Sequence, residues 1–142
     1  MTRHMRFSGG EAVAVAEVLR ARKRVRGQSA YLSGQAAERA VAGLYEARGA
    51  DLLETRWRGT AGEIDLVLLD EGVYVFCEVK QAASFEQAAE RLRPAQMRRI
   101  HLAASEYLGR TPKGQLSEVR FDLAVVDCAG RSEILEGAFS HF

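Results

Sequence analysis

Asp65, Glu78 and Lys80 are residues whose types and spacing could do chemistry. They lie in the stretch from Gly62 to Lys80, GEIDLVLLDEGVYVFCEVK, which reads as two strands joined by a tight turn. Ile64, Leu66 and Leu68 alternate through the first arm, and Val73, Val75, Cys77 and Val79 through the second. Successive side chains of a strand point to opposite faces, so Glu78 and Lys80 share one face with Tyr74 and Phe76. Two acids and an ammonium gathered in a largely apolar hairpin are costly to desolvate unless they bind a cation or carry out a reaction.

Whether the acids meet depends on the turn. A two-residue turn at Glu71-Gly72 pairs Asp70 with Val73 and therefore Asp65 with Glu78, on the same face. A three-residue turn over Asp70 to Gly72 suits a left-handed Gly72 better. It sets Asp65 opposite Cys77, so a bulge must then restore the alignment. One of these two devices is expected.

The order of residues resembles a known family. Asp65 followed by Glu78-Val79-Lys80 is similar to the D…ExK signature of the restriction-endonuclease-like, PD-(D/E)XK, nuclease superfamily. Around it stand Gly34 and Glu38, Arg56-Trp57-Arg58, Gly62-Glu63-Ile64-Asp65 and Phe76-Cys77-Glu78-Val79-Lys80, in order, then Arg120-Phe121-Asp122 and Gly137-Ala138-Phe139. The whole set resembles the YraN-like family, itself described as similar to Holliday-junction resolvases. The resemblance spans residues 33–142 and leaves residues 1–32 outside. One departure stands out: Gln81-Ala82 occupies the place where the family usually carries an arginine two residues after the lysine.

What the resemblance implies is a metal-dependent endonuclease hydrolysing DNA, on branched or recombination intermediates. Asp65 and Glu78 would bridge Mg2+ or Mn2+ with the carbonyl of Val79, since such ions prefer oxygen ligands and take only one or two carboxylates from a protein. Lys80 would orient or help deprotonate the attacking water and stabilise the charged phosphate. Glu38 would bind a second metal or a metal-bound water. Arg56, Arg58, Arg98 and Arg99 are candidate nucleic-acid contacts, and a homodimer follows by analogy with resolvases, whose substrate is two-fold. The alternative is a non-catalytic DNA-binding or adaptor protein that keeps the nuclease fold.

Other polar residues carry less. Glu63 could enlarge the acidic cluster, or pair with Arg56 or Arg58 at the strand's start. Glu38 could equally form a surface ion pair with Arg39 or Arg48. Asp122, in the middle of a strand, is expected to have a structural duty. His4, His101 and His141 have no Ser, Cys or Asp partners at suggestive spacing. Cys77 and Cys128 lack zinc-site spacing, and Cys77 reads as a reduced core thiol. A glycine-rich phosphate loop is absent, which removes an ATPase reading.

Around these residues the sequence predicts an α/β domain over 33–142 and a helical extension over 1–32. That extension comprises a capped helix over 9–25 ending in the basic block RARKRVR at 20–26, either docked on a protein surface or touching nucleic acid. Next come a helix from Gly34 to Arg48 with Ala37, Val41, Leu44, Tyr45 and Arg48 along one face, and a strand from Asp51 to Arg58 with Leu53 and Trp57 as core candidates. After the hairpin follow a helix capped by Ser84 that continues to Arg93, and a helix or kink from Pro94 to Leu108. Met97, Ile100, Ala104, Tyr107 and Leu108 form the latter's buried side, with Arg98 and Arg99 turned away. A loop over Thr111 to Ser117, an interior strand from Val119 to Asp127 and a short strand at Glu133 to Leu135 complete the chain. This order suits the restriction-endonuclease-like architecture, a mixed central sheet flanked by helices, with an extra N-terminal helix. With 142 residues, net charge +1 and no apolar run of membrane-spanning length, a cytoplasmic protein without a membrane partner is expected.

Overall fold

Ser33 opens the first helix by accepting the Ala36 N–H on its hydroxyl at 3.1 Å. The computed structural model describes residues 33–142, so the helix and basic block expected over 1–32 lie outside the described residues. Helix α1 (Gly34–Ala47) buries Ala37, Val41, Ala42 and Tyr45, and Gly49 follows it at φ +94, a left-handed terminus that favours glycine. Leu44 is only half-buried and Arg48 is exposed, reaching Glu136 at 3.2 Å, so the buried stripe is narrower than the sequence face.

Five strands follow: β1 (Asp51–Arg58), β2 (Glu63–Asp70), β3 (Val73–Gln81), β4 (Glu118–Val126) and β5 (Ser132–Leu135). They lie in the order β1-β2-β3-β4-β5, antiparallel except for β3 and β4, which run parallel. A parallel pair needs a long crossover, and α2 (Phe85–Arg91) with α3 (Pro94–Leu108) supplies it. The expected single segment to Arg93 stops at Arg91. Leu92, at ψ 89, leaves the helix, and Pro94 starts a new one in its first turn. A short 3-10 turn, Gly114–Leu116, sits inside the expected loop.

Helices cover both faces of the sheet. On one, Ala37, Val41 and Tyr45 of α1 pack on Leu66, Leu68, Val75, Cys77, Ala124 and Val126. On the other, Ala88, Ile100, Ala104 and Tyr107 of α2 and α3 pack on Val67, Phe76, Phe121 and Val125. The predicted α/β class with a mixed, helix-flanked sheet is what forms. Cys77 is the buried free thiol that its place on an apolar face implied. Among the described residues no helix is long and apolar enough to cross a membrane.

Leu53 departs from expectation. The β1–β2 register shifts between Leu52 and Glu54, and this bulge leaves Leu53 37% exposed on the sheet's edge strand. Trp57 is half-buried and meets Tyr107 edge-on at 5.2 Å.

Asp122 has the structural duty expected of it. It is fully buried, and its two oxygens accept from Tyr45 Oη at 2.6 Å, Arg120 Nε at 2.9 Å, Arg120 Nη2 at 3.1 Å and the Gly137 N–H at 2.9 Å. The network ties α1, β4 and the C-terminal turn together. Removing one partner of such a set leaves uncompensated polar groups, at about 3–5 kcal/mol. Asp122→Ala should therefore lower the thermal midpoint by ten degrees or more in magnitude, on the order of 4–8 °C per kcal/mol in a domain this small. A melt indistinguishable from wild type would show the network to be dispensable.

Candidate active site

The hairpin turn uses the shorter of the two devices. Asp70 pairs with Val73, and Glu71 and Gly72 sit at φ 49 and φ 84, both left-handed as a two-residue turn of the twisted kind requires. The ladder then runs unbroken to Leu66 opposite Cys77, which brings Asp65 level with Glu78 one step further. No bulge is needed in this pair of strands.

Asp65 and Glu78 consequently touch. Their carboxyls are within hydrogen-bonding reach of each other, and Asp65 Oδ2 also accepts the Val79 N–H at 2.8 Å. Burial first, and then the neighbouring charge of Glu78, push the Asp65 carboxyl from 3.8 up to about 7, against the lowering influence of the Val79 N–H. Lys80 Nζ stands 3.1 Å from Glu78 Oε2, with both side chains largely buried. The ammonium also donates to Gln96 Oε1 at 3.2 Å, while Gln96 Nε2 donates to Glu78 Oε2 at 2.8 Å.

Gln96 is a member of this cluster that the sequence reading passed over. It lies in the first turn of α3, one turn before the buried Ile100, so its amide occupies the end of an otherwise apolar stripe. An amide at such a position was the available signal. Its donor and acceptor ends lock Glu78 and Lys80 in one geometry, which neither flexible side chain would keep unaided.

Glu38 stands apart from the pair. It rises from α1, which covers the opposite face of the sheet, and its Oε1 accepts from Arg56 Nε at 2.8 Å. Neither Arg39 nor Arg48 is its partner. Burial raises the Glu38 carboxyl above its usual range, the Arg56 hydrogen bond works downward, and the charges of Asp65 and Glu63 raise it again. Glu63 pairs with Arg58 at 3.1 Å. Arg98 and Arg99 are exposed, and the Arg99 stem passes Gly62, where a side chain would begin 3.6 Å away. Ala82 is completely buried in the cluster that holds Ala88 and Leu92, so this position serves packing and has no phosphate-contacting role.

Among the described residues no three His, Cys, Asp or Glu side chains form a group that could hold a metal ion by themselves. What the structure brings together is the smaller set of two carboxylates beside the Val79 main chain. That donor set suits Mg2+ or Mn2+, which draw few ligands from protein and the rest from water and substrate. Two acids pressed together, with one of them held neutral into the ordinary pH range, are the electrostatic complement of a divalent ion.

An α/β sandwich with an acid–acid–lysine cluster at one end of a hairpin is thus the class of protein defined here. The chain belongs to the uncharacterised protein family UPF0102, the YraN family, whose model matches residues 37–126. It is 51% identical over 116 residues to a UPF0102 protein of Ruegeria pomeroyi, covering 82% of this chain and 94% of that one. A UPF0102 protein of Cereibacter sphaeroides is 48% identical over 114 residues, covering 80% and 97%. One from Dinoroseobacter shibae is 48% identical over 113 residues, covering 80% and 84%.

The raised Asp65 carboxyl has a consequence for stability. Folding favours its neutral form, so that contribution is complete below pH 3.8 and is lost as the pH climbs through about 7. Asp65→Asn keeps an oxygen for the Val79 N–H and removes the repulsion. In a chelating buffer it should leave stability unchanged near pH 4 and raise it at pH 8, by about 2 kcal/mol once screening of a partly exposed pair is allowed for. Denaturant titrations at the two pH values provide the check, and an asparagine variant less stable than wild type at pH 8 would contradict it.

Proposed function

We propose that this protein is a metal-dependent nuclease that hydrolyses DNA phosphodiester bonds, of the restriction-endonuclease-like kind that the sequence resembles. The observation that carries the reading is the convergence of Asp65, Glu78 and Lys80, locked by the Val79 N–H and Gln96, where their charges are left incompletely balanced. A divalent ion bound there would polarise the phosphate and lower the pKa of a bound water. Asp65, Glu78 and the Val79 carbonyl would hold it. Lys80, kept in place by Gln96, would face the attacked phosphate and offset the charge that builds on it.

Branched DNA is the substrate class that the family resemblance favours, and a homodimer would suit its symmetry. The reading of a DNA-binding protein without turnover keeps one observation in its favour, since Glu38 is engaged by Arg56 and does not complete a third carboxylate. Cleavage assays on single-stranded, duplex and four-way DNA with Mg2+ or Mn2+ separate the two. Wild type should cut at least one of these substrates, Lys80→Ala should lose on the order of a hundredfold or more in rate, as for removal of a transition-state donor, and Glu78→Gln should lose the heat of Mn2+ binding in calorimetry. Absence of both cleavage and metal binding would remove the enzyme reading and leave the binding protein.

A further inference from the structure

Arg56 sits in a backbone conformation that strands rarely contain. Its φ is 48, in the left-handed region disfavoured for any residue with a Cβ. The β1–β2 register, Thr55 opposite Leu66 and Trp57 opposite Ile64, places Arg56 beside Asp65. The next residue, Trp57, packs against Tyr107 of α3, and the Arg56 guanidinium meets Glu38 of α1 on the other face.

Two neighbours fit this unusual placement. Glu38 takes only Nε, at 2.8 Å, and among the described residues neither Nη nitrogen has a hydrogen-bond partner. A guanidinium present only to neutralise a carboxylate would gain more from the two-pronged pairing its planar fork allows. The second neighbour is Gly34, the first residue of α1, where an added Cβ would lie 2.7 Å from Arg56 Nη2. The guanidinium therefore fills room that glycine alone leaves open. Its side chain is 42% exposed while the carboxylate that holds it is 12% exposed, and the charges of Glu63 and Asp65 also act on it.

We propose that Glu38 and Gly34 shape a phosphate grip around Arg56, in which the fixed Nη pair takes a backbone phosphate of nucleic acid beside the acidic cluster. In this arrangement Glu38 is a positioning residue for Arg56 and not a metal ligand. A fork whose Nη groups have no hydrogen-bond partner among the described residues matches two phosphate oxygens, and Glu38 keeps it from collapsing onto the Asp65–Glu78 pair. The inference rests on the nuclease reading for its ligand, but its geometry belongs to Glu38, Gly34 and Arg56.

The test is binding of the full chain to fluorescein-labelled duplex DNA by anisotropy, in a chelating buffer that prevents cleavage, over a series of KCl concentrations. The slope of log affinity against log salt counts phosphate contacts, and losing one makes it shallower by about 1. Arg56→Gly suits the left-handed backbone and removes only the side chain, so it should fold and give that shallower slope. Gly34→Ala should melt no lower than wild type, because alanine favours a helix and only a flexible guanidinium must move, yet it should flatten the slope in the same direction. Glu38→Ala should do likewise, and Glu38→Gln, which keeps an oxygen for Nε, should restore most of the loss and still bind Mn2+ in calorimetry. An unaltered slope in Arg56→Gly and Gly34→Ala, or loss of Mn2+ binding in Glu38→Gln, overturns the grip while leaving the nuclease reading standing. A wild-type chain that binds no DNA overturns both.

Discussion

Two carboxyls held against each other are the constraint on which the rest of this site depends. Asp65 and Glu78 face one another because a two-residue turn sets the register of β2 and β3, with five residue pairs between the turn and the acids it aligns. The repulsion between them is only partly relieved by one main-chain N–H, one ammonium and one amide. Proteins do not hold such groups together for stability, since a buried ionic cluster seldom outperforms apolar residues of the same shape. The arrangement makes sense as a place where a cation and a phosphate complete the balance.

Asp122 shows the contrast. It too is an aspartate and is more deeply buried, yet four hydrogen bonds to Tyr45, Arg120 and Gly137 satisfy it. Burial of an acid does not by itself mark a functional residue. What separates the two is whether the charge is answered from within the chain. For Asp122 it is, and the network joins the helix on one face to the strand crossing it. For Asp65 it is not, and burial with the charge of Glu78 drives its carboxyl to about 7.

Much of this was legible in the residues. Alternation through Gly62–Lys80, with Glu71-Gly72 between the arms, fixed the shared face of Glu78 and Lys80, and the structure selects the shorter of two permitted turns. Pro94 marked a helix start, and Ser84 a cap. Interactions between distant segments were harder to read. Gln96 meets Glu78 and Lys80 through tertiary packing of α3 on the sheet, and only its place on an apolar stripe hinted at this. The partner of Glu38 proved to be Arg56, eighteen residues away, a contact between separate segments that periodicity within either one does not encode. Leu53 was misplaced for a similar reason, since one bulge moves a side chain from the expected core to the surface.

The central claim is that Asp65 and Glu78 together hold a divalent ion beside Lys80. Crystals grown with Mn2+ and measured for anomalous scattering test it most directly. The account predicts a peak between the two carboxyls and the Val79 carbonyl, at about 2.1–2.4 Å from their oxygens, between the ranges for Mg2+ and Ca2+, with Glu38 still on Arg56. A map with no peak there, and the two carboxyls still against each other, would contradict it.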